Sequence, residues 1–237
     1  MPLNTSIILC TYNEVNYIEK TVQELEKNIQ DLEIVIIDDS STDGTIDVLK
    51  KININNKYKI VYRKSSRSLA SAFVRGIIET TGDYVGWIDT NMGELAVKFP
   101  KMIEELKSDN DIIVLSRYVQ GGGDERIWIR ALSSKYFNMF CRFILRTPIK
   151  DFTSSIFLMK RKILDEVTFI GYGHGEFFLE FLYNAHRKGF KIKEIPYVQI
   201  KDEDLGNSKS ASSIIKFFYL GLMYLLRIII TLIRRKN

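Results

Sequence analysis

Cysteine and histidine are scarce in this chain, and their scarcity removes whole classes of chemistry. The two cysteines, Cys10 and Cys141, lie far apart and in no metal-ligand spacing. Neither a disulfide scaffold nor a zinc site is therefore expected, and reduced thiols in the cytosol fit best. The two histidines, His174 and His186, are separated by a helix's worth of chain and have no obvious carboxylate partner, so both read as ordinary loop or surface residues. No basic leader or cleavage site precedes Ser6-Ile7-Ile8-Leu9-Cys10, which reads as a first core strand, and secretion is not expected. Internal repeats and low-complexity segments are also missing.

What remains is material for one α/β core. With 237 residues and 46% hydrophobic side chains, the chain accounts for a single catalytic-sized domain and a tail. A formal charge of +5 suits nucleic acid, an acidic membrane surface or an anionic substrate equally well. Its distribution favours a membrane over a nucleic-acid groove, because Lys209, Lys216, Arg227, Arg234, Arg235 and Lys236 crowd the C-terminal end.

Short β-branched runs alternate with longer amphipathic stretches, the pattern of a parallel sheet flanked by helices. Strands are expected near 6–10, 33–38, 58–63, 84–89 and 111–116, with helices over 16–28, 44–51, 68–80 and 97–107. This βαβα order gives a doubly wound sheet. Beyond the loop at Gly121-Gly122-Gly123, a helix over 127–146, a strand near 156–160, a helix near 176–188 and a strand over about 191–200 follow.

Ligands of such sheets bind outside the carboxyl ends of the strands. The first strand is followed there by Thr11-Tyr12-Asn13-Glu14 and the second by Asp38-Asp39-Ser40-Ser41-Thr42-Asp43-Gly44-Thr45. Asp43-Gly44-Thr45 reads equally well as a helix cap with a turn glycine. Two acids ending a buried strand need hydrogen-bond donors, and a base or ribose would supply them. After the fourth strand, Asp89-Thr90-Asn91 puts two hard oxygen ligands on one side of the backbone, suited to Mg²⁺ or Mn²⁺ holding a diphosphate. Arg117 and Arg130, after the fifth strand, are placed to neutralise phosphate, with surface salt bridges as the plainer reading. Glu176 and Glu180 stand one helical turn apart, a pair that is more often structural than a general base.

In order and spacing, Thr11-Tyr12-Asn13-Glu14, the Asp38 to Thr45 run, Thr81-Gly82-Asp83-Tyr84, Asp89-Thr90-Asn91, Ser116-Arg117-Tyr118 with Gly121-Gly122, Asp151-Phe152-Thr153-Ser154 and Gly206-Asn207-Ser208-Lys209 form a specific set. Over about residues 5–210 the chain resembles a family 2 glycosyltransferase of the dolichyl-phosphate-mannose synthase-like group. The resemblance implies a Rossmann-like GT-A fold with a mostly parallel central sheet, over residues 1–210. It also implies that Tyr12, Glu14 and Asp39, with Thr90, bind the donor, that Asp89 and Asn91 serve a Mg²⁺ or Mn²⁺ ion, and that Arg117, Arg130 and Lys209 meet phosphates. The chain departs from the family pattern at Cys10 in place of proline, Asn91 in place of a second acid, Gly93 in place of a metal-ligating side chain, Ser155 in place of glycine and Glu203 in place of arginine.

The expected activity is inverting transfer of a sugar from GDP-mannose or a UDP-sugar to a polyprenyl or dolichyl phosphate at the cytosolic face of a membrane. A phosphate acceptor needs no general base, because its second pKa is about 6 and it arrives already anionic. Two other readings stand beside it: transfer to a soluble or polymeric sugar acceptor, which would require a carboxylate such as Glu176, and a nucleotide-sugar-binding protein impaired in catalysis.

The tail, 211–237, is nearly all apolar from 214 to 233. At about 100° per residue, Lys216, Arg227 and Arg234 form a narrow basic stripe, so an amphipathic helix lying in the membrane interface with its charges toward lipid phosphates is expected rather than a span. A partner membrane protein or a homo-oligomer is the other use for such a surface.

Overall fold

The computed structural model describes residues 4–64, 68–154, 156–201 and 214–234, with side chains from 221 onward in the last span. β-branched runs form β1 (Thr5–Thr11), β2 (Leu32–Asp38), β3 (Lys59–Tyr62) and β5 (Ile112–Ser116), and the other strands are β4 (Tyr84–Trp87), β6 (Gly123–Asp124), β7 (Phe157–Lys160), β8 (Ile192–Pro196) and β9 (Val198–Gln199). The helices are α1 (Ile18–Asn28), α2 (Thr45–Ile52), α3 (Leu69–Glu79), α4 (Phe99–Lys107), α5 (Trp128–Leu145), α6 (Glu176–Arg187) and α7 (Ile214–Arg234).

Seven strands make one sheet in the order β3-β2-β1-β4-β7-β5-β8, and β6 pairs with β9 separately. β7 runs antiparallel to both β4 and β5, and the other pairings are parallel. Both faces are covered, which is why the strands read as unbroken apolar runs. Along β1, Ile7 and Leu9 point into the core shared with α1, α2 and α4, while Ile8 points to the opposite core with α3, α5 and α6. The second core is aromatic: Phe73 meets Trp87 at 5.2 Å between ring centroids, Phe157 stacks on Phe178 at 4.6 Å and Phe169 on Phe181 at 3.8 Å.

Three elements differ from the sequence expectation. β4 stops at Trp87, and the helix expected at 97 begins as a 3-10 stretch at Thr90, so Asp89 is released from the ladder and stands at the start of that stretch. The strand expected over 191–200 breaks at Pro196, which has no N–H for the ladder, into two strands of different sheets. The third difference is the tail. Among the described residues no helix is long and apolar enough to cross a membrane. Both described arginines of α7 pair with Glu180, Arg227 from a buried position and Arg234 from an exposed one. Arg227 is buried, its Nη1 donating to Glu180 Oε2 at 3.0 Å and its Nη2 to the Tyr172 carbonyl at 2.7 Å, and Arg234 Nη1 meets Glu180 Oε1 at 3.1 Å. Glu176 and Glu180 are buried on α6 and need cations, which outweighs any pull of a headgroup on the same side chains. Leu222, Leu225, Leu226, Ile229, Ile230 and Ile233 are left on the outside.

Replacing Arg227 with methionine strips the main partner from two buried carboxylates. The unfolding free energy is expected to fall by about 3 kcal/mol in a urea titration; an unmoved midpoint would mean that α7 is not held by this contact.

Candidate active site

Building of the sheet starts at β1, proceeds outward to β2 and β3, and then resumes on the other side with β4, so the switch point lies between β1 and β4. The segments leaving β1 and β2 are hydrogen-bonded to each other there. The Asn13 N–H donates to Ser41 Oγ at 2.9 Å, the Glu14 N–H to Thr45 Oγ1 at 2.9 Å, and the Thr42 N–H to Asn13 Oδ1 at 2.8 Å. Asn13 and Ser40 sit at φ 56° and 60°, a left-handed conformation uncommon outside glycine, and Asn13 tolerates it better than Ser40.

The two acids closing β2 have separate roles. Asp38 is fully buried and accepts from the Ser41 N–H at 3.0 Å and the Ser41 hydroxyl at 2.5 Å, so its donors come from its own turn and not from a base or ribose. Asp39 is clasped by Arg63, Nε to Oδ1 at 2.5 Å and Nη2 to Oδ2 at 2.6 Å. Arg63 also donates to Ser71 Oγ at 2.9 Å and to the Ser68 carbonyl at 3.2 Å. The sequence reading missed Arg63. Its only local signal is a cation following β3, one strand over from Asp39.

Cys10 ties the donor side to the metal side. Its thiol pKa is pushed up by burial first and then by the negative fields of both Asp39 and Asp89, with Arg63 opposing. Asn91 is half-buried two residues after Asp89, while Thr90 is buried, its hydroxyl donating to the Cys10 carbonyl at 3.3 Å and its carbonyl accepting from Thr21 Oγ1 at 2.5 Å. Thr90 thus fastens the 3-10 stretch to β1 and α1 in place of the donor contact expected of it. Gly93 has no space for a ligand: a Cβ there would lie 2.5 Å from Thr21 Oγ1 and 2.8 Å from Thr21 Cα.

Among the described residues no group of three or more His, Cys, Asp or Glu is placed to hold a metal ion. The Asp89 carboxylate and the Asn91 amide oxygen still fit Mg²⁺ or Mn²⁺ in the way such ions bind at phosphate sites, where one or two protein oxygens suffice and substrate phosphates and waters fill the other positions.

The phosphate-binding residues fare differently. Arg117 is buried, with Nε and Nη2 on Asp151 at 2.9 and 2.7 Å, Nη2 also on Thr153 Oγ1 at 2.6 Å, and Nη1 3.7 Å from Asp124. Burial opposes its charge, but Asp151 outweighs burial and its pKa is raised. The expected anion holder is therefore committed to a carboxylate, in a network that fixes the 151–153 turn against the end of β5. Arg130 is half-buried in the first turn of α5. Tyr12 and Glu14 are half-buried after β1, with the Glu14 carbonyl accepting from the Ile18 N–H at 3.1 Å at the start of α1. Lys209, Glu203 and Gly206-Asn207-Ser208 lie outside the described residues. Glu176, the base that a sugar acceptor would need, is buried and accepts the His174 and Gly175 N–H groups at 2.9 and 3.0 Å.

Gly93→Gln is expected to lower stability by about 1–3 kcal/mol through overpacking against Thr21 and to leave Mn²⁺ affinity no higher. Thermal melts with and without Mn²⁺ check both halves, and a gain in Mn²⁺ affinity would contradict the packing described.

Comparison with known proteins gives the family and the fold. The chain is 31% identical over 201 residues to a dolichol-phosphate mannosyltransferase of Pyrococcus furiosus, an alignment covering 82% of this chain and 56% of that protein, so the chain spans little more than half of that relative. It is 24% identical to a polyprenol monophosphomannose synthase of Mycolicibacterium smegmatis, covering 90% of this chain and 83% of the relative. An undecaprenyl-phosphate mannosyltransferase of Micrococcus luteus is likewise 24% identical, with 88% of each covered. The fold matches a glucosyl-3-phosphoglycerate synthase of Mycobacterium tuberculosis, solved with Mn²⁺, UDP and phosphoglyceric acid, with a TM-score of 0.71 and 14% identity over 97% of this chain and 78% of that one. Residues 6–168 fit the profile of Glycosyl transferase family 2, and with the mostly parallel GT-A sheet and the strand-end acids in place, the chain belongs to that family.

Proposed function

We propose that this protein transfers a sugar, with inversion, from a nucleotide-sugar to a polyprenyl phosphate at the face of a membrane. The observation that carries the reading is the placement of two strand-end acids at one end of β1, where the Asp39 N–H donates to the Thr11 carbonyl at 3.0 Å and Thr90, next to Asp89, donates to the Cys10 carbonyl at 3.3 Å, in a chain whose curated relatives are named for polyprenyl-phosphate mannosyl transfer. Asp39, oriented by Arg63, reads the nucleoside together with Tyr12 and Glu14. Asp89 and Asn91 would hold Mg²⁺ or Mn²⁺, which when bound shields the charge of the donor diphosphate. GDP-mannose and a UDP-sugar are the donors this arrangement suits.

The reaction needs no deprotonation by the protein. An acceptor phosphate oxygen, ionised near neutrality because its second pKa is about 6, forms the new bond to the anomeric carbon as the bond to the diphosphate breaks. The protein's work is to hold two anions together in one cleft. Arg130, and Lys209 from the segment beyond β9, receive the acceptor phosphate, while Arg117 acts through Asp151 and Thr153 to set the wall of the cleft. The commitment of Glu176 and Glu180 to Arg227 supports a phosphate acceptor over a sugar hydroxyl, because no carboxylate on α6 is free to act as base. The membrane contact comes from the outward apolar side chains of α5 and α7, and the two free cysteines support the cytosolic side.

Membranes incubated with radiolabelled GDP-mannose and UDP-sugars are expected to yield label in the lipid extract. Asp89→Ala is expected to reduce that label by on the order of a hundredfold with unchanged circular dichroism, and EDTA to have the same effect. Nucleotide-sugar binding with no lipid labelling for any donor would leave only a binding protein.

A further inference from the structure

Among the described residues Arg227 is buried against Glu180, and a second cationic surface lies at the last turn of α5. A groove of about 600 Å³ opens there, lined by Met139, Arg142, Phe143, Arg146, Thr147 and Pro148. Met139 and Phe143 are 55% and 79% exposed, a large area of apolar surface left in water. Arg142 and Arg146 stand one helical turn apart on the same side. Neither is in an ion pair with any described residue. Between Glu125 and Asp151 the chain carries Arg126, Arg130, Lys135, Arg142, Arg146 and Lys150 and no acid, so nothing on this helix competes for the two guanidinium groups.

The backbone gives an independent indication. α5 ends with Arg146 in the left-handed conformation, φ 50° and ψ 54°, its N–H donating to the Arg142 carbonyl. Glycine or asparagine takes that position at least conformational penalty, and an arginine there is strained. A strained residue is retained where its side chain has a use.

We infer that this groove is a binding site for the headgroup of an anionic phospholipid, with Arg142 and Arg146 on the phosphate and Met139 and Phe143 inserted beside the acyl chains. The site deepens the membrane reading of the proposed function: it selects the composition of the bilayer on which the enzyme sits, and it is separate from the catalytic cleft at the ends of β1 and β4. The alternative role for the two arginines is to complement the negative end of the helix, which would stabilise α5 and do nothing at a membrane.

Flotation of the full chain with vesicles of phosphatidylcholine, with and without phosphatidylglycerol and free of any polyprenyl phosphate, separates these roles without involving the transfer reaction. Binding is expected to rise with phosphatidylglycerol and to drop about fivefold for each of Arg142→Gln and Arg146→Gln. Arg146→Gly is the decisive variant, because it relieves the backbone: its thermal midpoint is expected to hold or rise while its preference for anionic vesicles falls. Phe143→Ser is expected to weaken binding to both kinds of vesicle. Equal binding to neutral and anionic vesicles, unchanged selectivity in both arginine variants, or release by millimolar inorganic phosphate at constant ionic strength would each overturn the inference, the last by making the groove a site for soluble phosphate. Because no donor or acceptor is present, a failure here leaves the catalytic reading standing, and a failure of lipid labelling leaves the headgroup site standing.

Discussion

The candidate site depends on a buried carboxylate, Asp38, having found its donors in its own turn. At the end of a strand covered on both faces, an unsatisfied Asp38 would be prohibitive. Ser41 supplies both bonds, and the same Ser41 hydroxyl accepts the N–H of Asn13 from the neighbouring strand. That shared hydroxyl joins the two loops, and with Thr42 on Asn13 and Glu14 on Thr45 the join extends over both segments. Asp39, next in sequence, is thereby held at the rim where Arg63 reaches it.

The distribution of charge follows a common rule. Arg63, Arg117 and Arg227 each approach two or more polar partners inside the protein, on Asp39, on Asp151, and on Glu176 and Glu180 respectively. Each of these pairs takes one positive and one negative charge out of play together, so the formal +5 is carried by side chains outside them. Arginines committed internally rigidify the turns that carry the reactive groups, whereas Arg142 and Arg146 stand at the end of α5, a helix that carries no acid.

Much of this was legible in the sequence, for reasons that can be named. Apolar runs such as Ile34-Val35-Ile36-Ile37 mark a doubly covered strand and the pattern points to its carboxyl end, but it does not tell Asp38, which turns into its own loop, from Asp39; the family resemblance singled out Asp39 and Asp89. What was not legible depends on partners distant in sequence. Nothing local pairs Arg63 with Asp39, Arg117 with Asp151 or Arg227 with Glu180, and a basic stripe on a helix looks the same whether a bilayer or a buried glutamate lies opposite. Gly93 likewise looked like a lost ligand, whereas the close approach of Thr21 requires it. The direction of β7 was also hidden, because periodicity carries no sense of direction.

That reversed strand bears on how the sheet assembles. β4 and β5 share no ladder; each pairs with β7, whose residues 157–160 come some forty positions after β5 ends. The sheet therefore cannot zip up in chain order. Without the segment carrying Phe157, the half built on β1 and the half built on β5 and β8 share no ladder. The segment entering β7 also brings Asp151 to Arg117, and β7 brings Phe157 to the aromatic core, so the strand that joins the two halves of the sheet also completes the wall of the cleft.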